Sequence, residues 1–182
     1  MEKTSKNNHL IRLCTAAMFA ALICVGTIII VIPTPFGGNV NLGDCFILVG
    51  AWILGPVYGA AAGAVGSAIA DLFSGYALYA PATFIIKGLI GLLAALIAKG
   101  IAAKAPTLKN LGYVLGALSG EAVMILGYFV FEATVAGYGI TGAAANIPYN
   151  TVQGMCGMTL GVVLIHIAHK TNLLTKFSIF KS

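Results

Sequence analysis

Long apolar runs separated by short polar or glycine- and proline-containing breaks dominate this chain. Four of them, residues 11–32, 80–98, 111–131 and 147–168, are each close to one membrane crossing in length. A helix rising about 1.5 Å per residue needs about 20 apolar residues to cross hydrocarbon. A fifth apolar stretch, residues 42–73, is too long for one ordinary crossing and barely long enough for two. Gly55-Pro56 sits at its middle, where the missing proline N–H and the ring disfavour a continuous helix. It therefore reads as two short helices, residues 43–54 and 57–73. The pattern predicts an all-α integral membrane protein, a bundle of six transmembrane helices.

Charge supports that count and orients it. Nine of the ten cationic residues lie at the chain ends or in one middle loop: Lys3, Lys6 and Arg12; Lys99, Lys104 and Lys109; Lys170, Lys176 and Lys181. By the positive-inside tendency all three groups face the cytoplasm. Two crossings within residues 42–73 keep the middle group on that side, whereas one would place it outside. The expectation is a single domain over residues 1–182 with both termini cytoplasmic and short tails at about 1–10 and 170–182. The three outward connections, residues 33–42, 74–79 and 132–146, carry no lysine or arginine. No clear small-residue cleavage site follows the first run, which reads as a retained helix instead of a removed signal peptide.

Composition excludes an ordinary soluble domain: 59% of residues are hydrophobic and 8% charged, against roughly 25% charged in a soluble average. The net charge of +5 suits anionic lipid head groups better than nucleic acid, because no basic stripe with interleaved aromatics is present. Cys14, Cys24, Cys45 and Cys156 form no close C-x-x-C pair and read as packed free thiols without metal or disulfide roles. His9, His166 and His169 read as solvated boundary residues. Glycines at Gly59/Gly63, Gly112/Gly116/Gly120 and Gly157/Gly161 recur at helical spacing and permit close helix packing.

Ionisable residues inside a bilayer are costly and mark functional sites by default. Asp71, Lys87 and Glu121 fall within apolar runs, and helical rise places all three in the outer half of the membrane. Asn39, Asn41 and Asp44, then Tyr76 and Tyr79, then Asn146, Tyr149, Asn150 and Gln153 add polar and aromatic groups above that layer. A small-molecule site combines apolar walls with a few convergent polar groups, so a capture pocket opening outward is expected. Its candidate substrate contacts are Asn39, Asn41, Asp71, Tyr79, Lys87, Glu121, Asn150 and Gln153. Lys87 has a second reading, a structural ion pair between helices. Asp44 and Glu132 are expected at the water boundary, where solvation suffices, and the tyrosines could equally form an interfacial belt. Pro33 and Pro35 stiffen the first loop while Gly37-Gly38 free its middle. It is either a lid or an ordinary connection. Ala16, Ala17, Ala20 and Ala21 form two overlapping Ala-xxx-Ala pairs on the first helix, suited to close packing inside the bundle or against an external partner.

Four stretches carry a resemblance: Ile32-Pro-Thr-Pro-Phe-Gly-Gly-Asn-Val-Asn-Leu-Gly-Asp44, Leu54-Gly-Pro-Val-Tyr-Gly59, Ala70-Asp-Leu-Phe-Ser-Gly-Tyr76 and Ala80-Pro-Ala-Thr-Phe-Ile-Ile-Lys-Gly88. With the helix count and the alanine stripe, the chain resembles the substrate-binding S components of energy-coupling factor (ECF) vitamin transporters. It looks like the subgroup associated with hydroxymethylpyrimidine, pyridoxine or riboflavin. The resemblance covers nearly the whole chain. It implies a multi-pass protein of a bacterial or archaeal cell membrane that binds a vitamin but is not an enzyme and carries no resident cofactor. It also implies docking through Ala16, Ala17, Ala20 and Ala21 onto a transmembrane coupling subunit bound to two ATPase subunits, with ATP-driven toppling carrying the ligand inward. The chain lacks a G-x-x-x-x-G-K-[ST] phosphate loop, so ATP dependence has to come from a partner.

Asp71 and Glu121 against Lys87 leave a formal balance of minus one if all are ionised. A neutral or weakly cationic heteroaromatic ligand fits that better than a multiply anionic one, with a pyridine or pyrimidine vitamin first and riboflavin second. The rival readings are a self-sufficient proton-coupled carrier relaying protons through Asp71, Lys87 and Glu121, an intramembrane enzyme, and a structural scaffold. The enzyme lacks a Ser/His, metal-ligand or paired-carboxylate constellation at one depth.

Overall fold

The computed structural model describes residues 2–34 and 39–172, with side chains from His9 onward. Six α-helices follow one another: α1 (Glu2–Ile29), α2 (Gly43–Leu54), α3 (Pro56–Phe73), α4 (Ala80–Lys104), α5 (Lys109–Thr134) and α6 (Gly139–Lys170). Between α1 and α2 a short antiparallel ribbon pairs β1 (Ile32–Pro33) with β2 (Asn39–Val40). The expected glycine-rich turn at residues 35–38 and the tail beyond Asn172, including Lys176 and Lys181, lie outside the described residues.

The break at Gly55-Pro56 falls where proline chemistry places it. Pro56 occupies the first turn of α3, and Gly55 joins the two helices with φ of 85°, a backbone region that favours glycine. At about 1.5 Å per residue, the 12 residues of α2 extend only about 18 Å, short of a full crossing by themselves. The other five helices are each long and apolar enough to cross a membrane.

Glycine contacts define how the helices run. A Cβ placed on Gly63 would lie 3.1 Å from Ile47 Cγ2, and one on Gly59 would lie 2.9 Å from Ala51 Cβ, so α2 and α3 run antiparallel. Gly112, Gly116 and Gly120 of α5 meet Ala98, Ala94 and Ile90 of α4 in turn. Gly157 and Gly161 of α6 lie against Asp44 and Leu48 of α2, in the parallel sense. Alternation through the six helices therefore returns the end of α6 to the side where α1 begins. The core between them is apolar, with Ile23, Ile47, Leu48, Ile90 and Met124 fully buried. Large apolar side chains such as Met18, Val57, Ile85 and Leu126 cover the outer face, as a lipid-facing surface requires.

Several boundaries differ from expectation. Helix α6 begins at Gly139, not near residue 147, and α5 continues to Thr134. The last outward connection is consequently only residues 135–138, and Asn146 lies within a helix. The Ala143 to Ala145 run favours helix, and Pro148 is accommodated inside α6. Of the cysteines, only Cys45 is buried, and Cys14 and Cys156 are on the outside. His169 is not simply solvated: it stacks on Tyr113 at 6.2 Å between centroids and lies 3.0 Å from the Tyr113 hydroxyl.

Candidate functional site

Depth separates the polar groups into an upper cavity and a buried layer beneath it. The cavity lies at the end of the bundle that carries the β1–β2 ribbon, with about 520 Å³ of empty space including its open mouth. Thr27 and Val31 bound it from the α1 side, Asn39 and Asn41 from the first loop, and Asp71 and Ser74 from the end of α3. Tyr76, Tyr79 and Thr83 contribute from the approach to α4, Tyr128 and Glu132 from α5, and Asn150 and Gln153 from α6.

Six of the eight candidate substrate contacts are thus brought together: Asn39, Asn41, Asp71, Tyr79, Asn150 and Gln153. Lys87 and Glu121 are not among the lining residues. Both are buried below them, at 3% and 5% exposure.

The layer beneath is centred on Asp44, which is fully buried instead of sitting at the water boundary. Its position in the first turn of α2 favours a carboxylate, because the helix dipole is positive at that end. Lys87 Nζ donates to Asp44 Oδ1 at 2.5 Å, and Gln153 Nε2 donates to Asp44 Oδ2 at 2.6 Å. Gln153 Oε1 in turn accepts from the backbone N–H of Asn41 at 2.9 Å. Asn41 Oδ1 accepts from the Gly43 N–H at 3.0 Å. One chain of bonds therefore ties the first loop to α6, α2 and α4. Charge-assisted bonds of this kind are the strong ones, and in a low-dielectric interior each has high stakes if left unmade.

Lys87 also lies 3.2 Å from Met124 Sδ and 5.6 Å from the centre of the Tyr128 ring. Glu121 packs by its carboxyl against the glycine face of α6, since a Cβ on Gly154 would lie 3.2 Å from its Oε2. Neither Glu121 oxygen has a hydrogen-bond partner among the described residues.

Aromatic residues form part of the cavity wall. Tyr79 touches Phe131 at 5.0 Å, Tyr76 at 6.2 Å and Tyr128 at 6.4 Å between ring centres. Tyr79 donates to Glu132 Oε1 at 3.4 Å, and burial, with help from Tyr138 and Glu132, holds its phenol well above the ordinary range, so it stays a donor. Tyr76 donates to Asn39 Oδ1 at 3.4 Å, and the Thr83 and Tyr128 hydroxyls are 3.0 Å apart.

Glu132 was expected at the water boundary and is instead 2% exposed. α5 runs three residues past the anticipated end, which carries Glu132 under Tyr79, a partner 53 residues away in sequence. Tyr149 turns outward and takes no part. Thr27, Val31, Thr83 and Tyr128 were missed. They sit in apolar or helical patterns with no signal in sequence to mark them.

The alanine stripe divides between two faces. Ala16 is buried, and Ala20 is partly buried where α3 crosses at Gly66. Ala17 and Ala21, about 100° further round the same helix, are exposed.

Comparison with known proteins bears on the family and the fold. The profile of the family described as ECF-type riboflavin transporter, S component, matches residues 7–170. An uncharacterised protein of Pyrococcus woesei is 38% identical over 150 residues, covering 81% of this chain and 95% of its own. The thiamine precursor transporter HmpT of Lactococcus lactis subsp. cremoris (strain MG1363) is 29% identical over 177 residues, covering 96% of this chain and 98% of its own. A solved structure of the S component of a bacterial ECF transporter superposes with a TM-score of 0.68 at 22% identity, covering 90% of this chain and 98% of that one, which establishes a shared fold. Five membrane-crossing helices, a short apolar sixth and a match over nearly the full length lead to one conclusion: this multi-pass membrane protein belongs to the ECF-type riboflavin transporter S component family.

Proposed function

We propose that this S component captures a small heteroaromatic vitamin or vitamin precursor from outside the cell, of the hydroxymethylpyrimidine or pyridoxine type first and riboflavin second. It delivers the ligand inward together with a transmembrane coupling subunit and two ATPase subunits. The observation that carries this reading is the cavity itself, where amides of the first loop and α6 share one lining with Tyr76, Tyr79 and Tyr128. A flat ring stacks on such a wall while its polar edge meets the amides.

Orientation follows from charge. Arg12, Lys99, Lys104, Lys109 and Lys170 are all near the end of the bundle opposite the cavity, so a cytoplasmic position for that end leaves the cavity facing out. The HmpT likeness favours a thiamine precursor, and the family profile favours riboflavin. Asn39, Asn41, Asp71, Tyr79 and Asn150 contact ligand in this reading. Lys87, Glu121 and Gln153 hold the floor. The outward alanines Ala17 and Ala21 present the smooth face to a coupling subunit, while Ala16 and Ala20 serve the internal packing of α1 on α3. The ligand is the transported vitamin, with no resident cofactor, and ATP is bound by the partners.

Reconstitution into lipid vesicles tests this. The chain alone should bind hydroxymethylpyrimidine, pyridoxine or riboflavin saturably and import almost none. Import should need the coupling and ATPase subunits and ATP. Uptake by the chain alone, driven by a proton gradient, would establish the self-sufficient carrier instead.

A further inference from the structure

The hydrogen-bond capacity around the cavity is unevenly spent. Gln153 has its oxygen committed to the Asn41 N–H and its nitrogen to Asp44. Tyr79 gives its proton to Glu132, and the Tyr128 and Thr83 hydroxyls are paired with each other. The side-chain N–H groups of Asn39, Asn41 and Asn150 remain available at the cavity surface, but the buried lining atoms left without a partner are acceptors. Oδ2 of Asp71 and Oε2 of Glu132 are buried oxygens without a hydrogen-bond partner among the described residues. Both residues line the cavity, from two different helices, and Glu132 is 2% exposed.

Charge is uneven in the same direction. No described residue lining the cavity is cationic. Lys87, the cation nearest in depth, lies beneath and is taken up by Asp44 at 2.5 Å. A carboxylate offers acceptor positions only, so its natural complement is an amino, ring N–H or hydroxyl donor. Unpaired buried acceptors are costly, which makes a ligand that supplies donors worth more than one that lacks them. A phosphate ester would bring only acceptors and further negative charge to this lining, where like charges repel strongly at low dielectric.

We propose that Asp71 and Glu132 are the specificity-determining pair of this cavity: they select an amino-bearing or weakly cationic heteroaromatic ring and reject phosphate monoesters. This deepens the vitamin-binding reading above and rests on it. A site built to hydrogen-bond a donor rejects the analogue lacking it far more strongly than an apolar pocket rejects a missing methylene.

The test uses the full chain in lipid nanodiscs, freed of co-purified ligand, with affinity measured by calorimetry. The probes are 4-amino-hydroxymethylpyrimidine, its analogue without the amino group, its phosphate monoester, and riboflavin. The wild type should prefer the amino compound to the deaminated one by at least tenfold and to the phosphate by more. Glu132→Gln and Asp71→Asn should each reduce the first preference to less than threefold. A merely structural role would weaken both ring compounds alike and leave the preference intact, which would overturn the proposal. Equal affinity for the phosphate ester, or tighter binding of riboflavin than of the amino compound, would also overturn it while leaving vitamin binding intact. Absence of saturable binding by any of the four probes would defeat the vitamin-binding reading itself, and this proposal with it. Two variants on separate helices guard against one of them failing to fold.

Discussion

Lys87 on α4 and Asp44 at the start of α2 form a buried ion pair, with Nζ 2.5 Å from Oδ1 and neither side chain more than 4% exposed. Gln153 occupies the other Asp44 oxygen, so both oxygens of this carboxylate are satisfied. A buried pair gains from mutual attraction only after both ions lose their hydration, and breaking one partner is worse than replacing both.

Lys87→Met should therefore lower stability by about 3–5 kcal/mol, the usual cost of stranding a buried charge. The double variant Lys87→Met with Asp44→Asn should recover most of that. Thermal unfolding in detergent for the wild type and these two variants checks this. A double variant no more stable than the single one would show that the pair contributes through something other than charge.

Gln153→Leu removes the two bonds that tie the Asn41 backbone and Asp44 together. Leaving two buried groups unpaired costs roughly 1–3 kcal/mol each. Because the first loop is released as well, vitamin dissociation should accelerate more than association changes. Stopped-flow release kinetics would show it, and an unchanged dissociation rate would detach the loop from ligand retention.

Ala17→Trp or Ala21→Trp adds bulk to the exposed face of α1 and should leave folding and vitamin binding intact while blocking assembly with the coupling subunit. Ala16→Trp should instead reduce folded yield, because Ala16 is buried within the bundle and overpacking costs typically 1–3 kcal/mol or more. Co-purification with the coupling subunit, beside size-exclusion profiles of the chain alone, distinguishes the two faces. Normal assembly of both exposed variants would place docking elsewhere.

Gly116→Val should separate α4 from α5. A Cβ at Gly116 would lie 2.6 Å from the Ala94 carbonyl oxygen, a backbone atom that cannot swing aside. Loss of about 2–3 kcal/mol or more is expected from strain of this kind. Gly100→Ala, on an α4 position with open space around it, should stabilise slightly by improved helix propensity, by up to about 1 kcal/mol. Comparing the melting temperatures of the two variants checks the assignment.

Periodicity and charge carried the coarse architecture. Run length together with Gly55-Pro56 marked α2 and α3 to within a residue, since backbone chemistry at proline and glycine acts locally. Alternation of cationic clusters with connections free of lysine and arginine was enough to anticipate six helices. Both of these depend on neighbours in sequence or on the bilayer as solvent, and neither needs tertiary contacts.

Tertiary structure decided which acid meets Lys87. Asp71 and Glu121 are at suitable depths, yet Asp44 is the partner, because α2 runs beside α6 and α4 and carries its first-turn carboxylate in with it. The same long-range packing buried Glu132 under Tyr79 and Phe131, spent both ends of Gln153, and split the alanine stripe into an inward and an outward face. Helical rise along one axis can rank residues by depth, and that is what the sequence by itself determined. Which way each side chain turns around its axis depends on the neighbouring helices, and only the assembled bundle settles that.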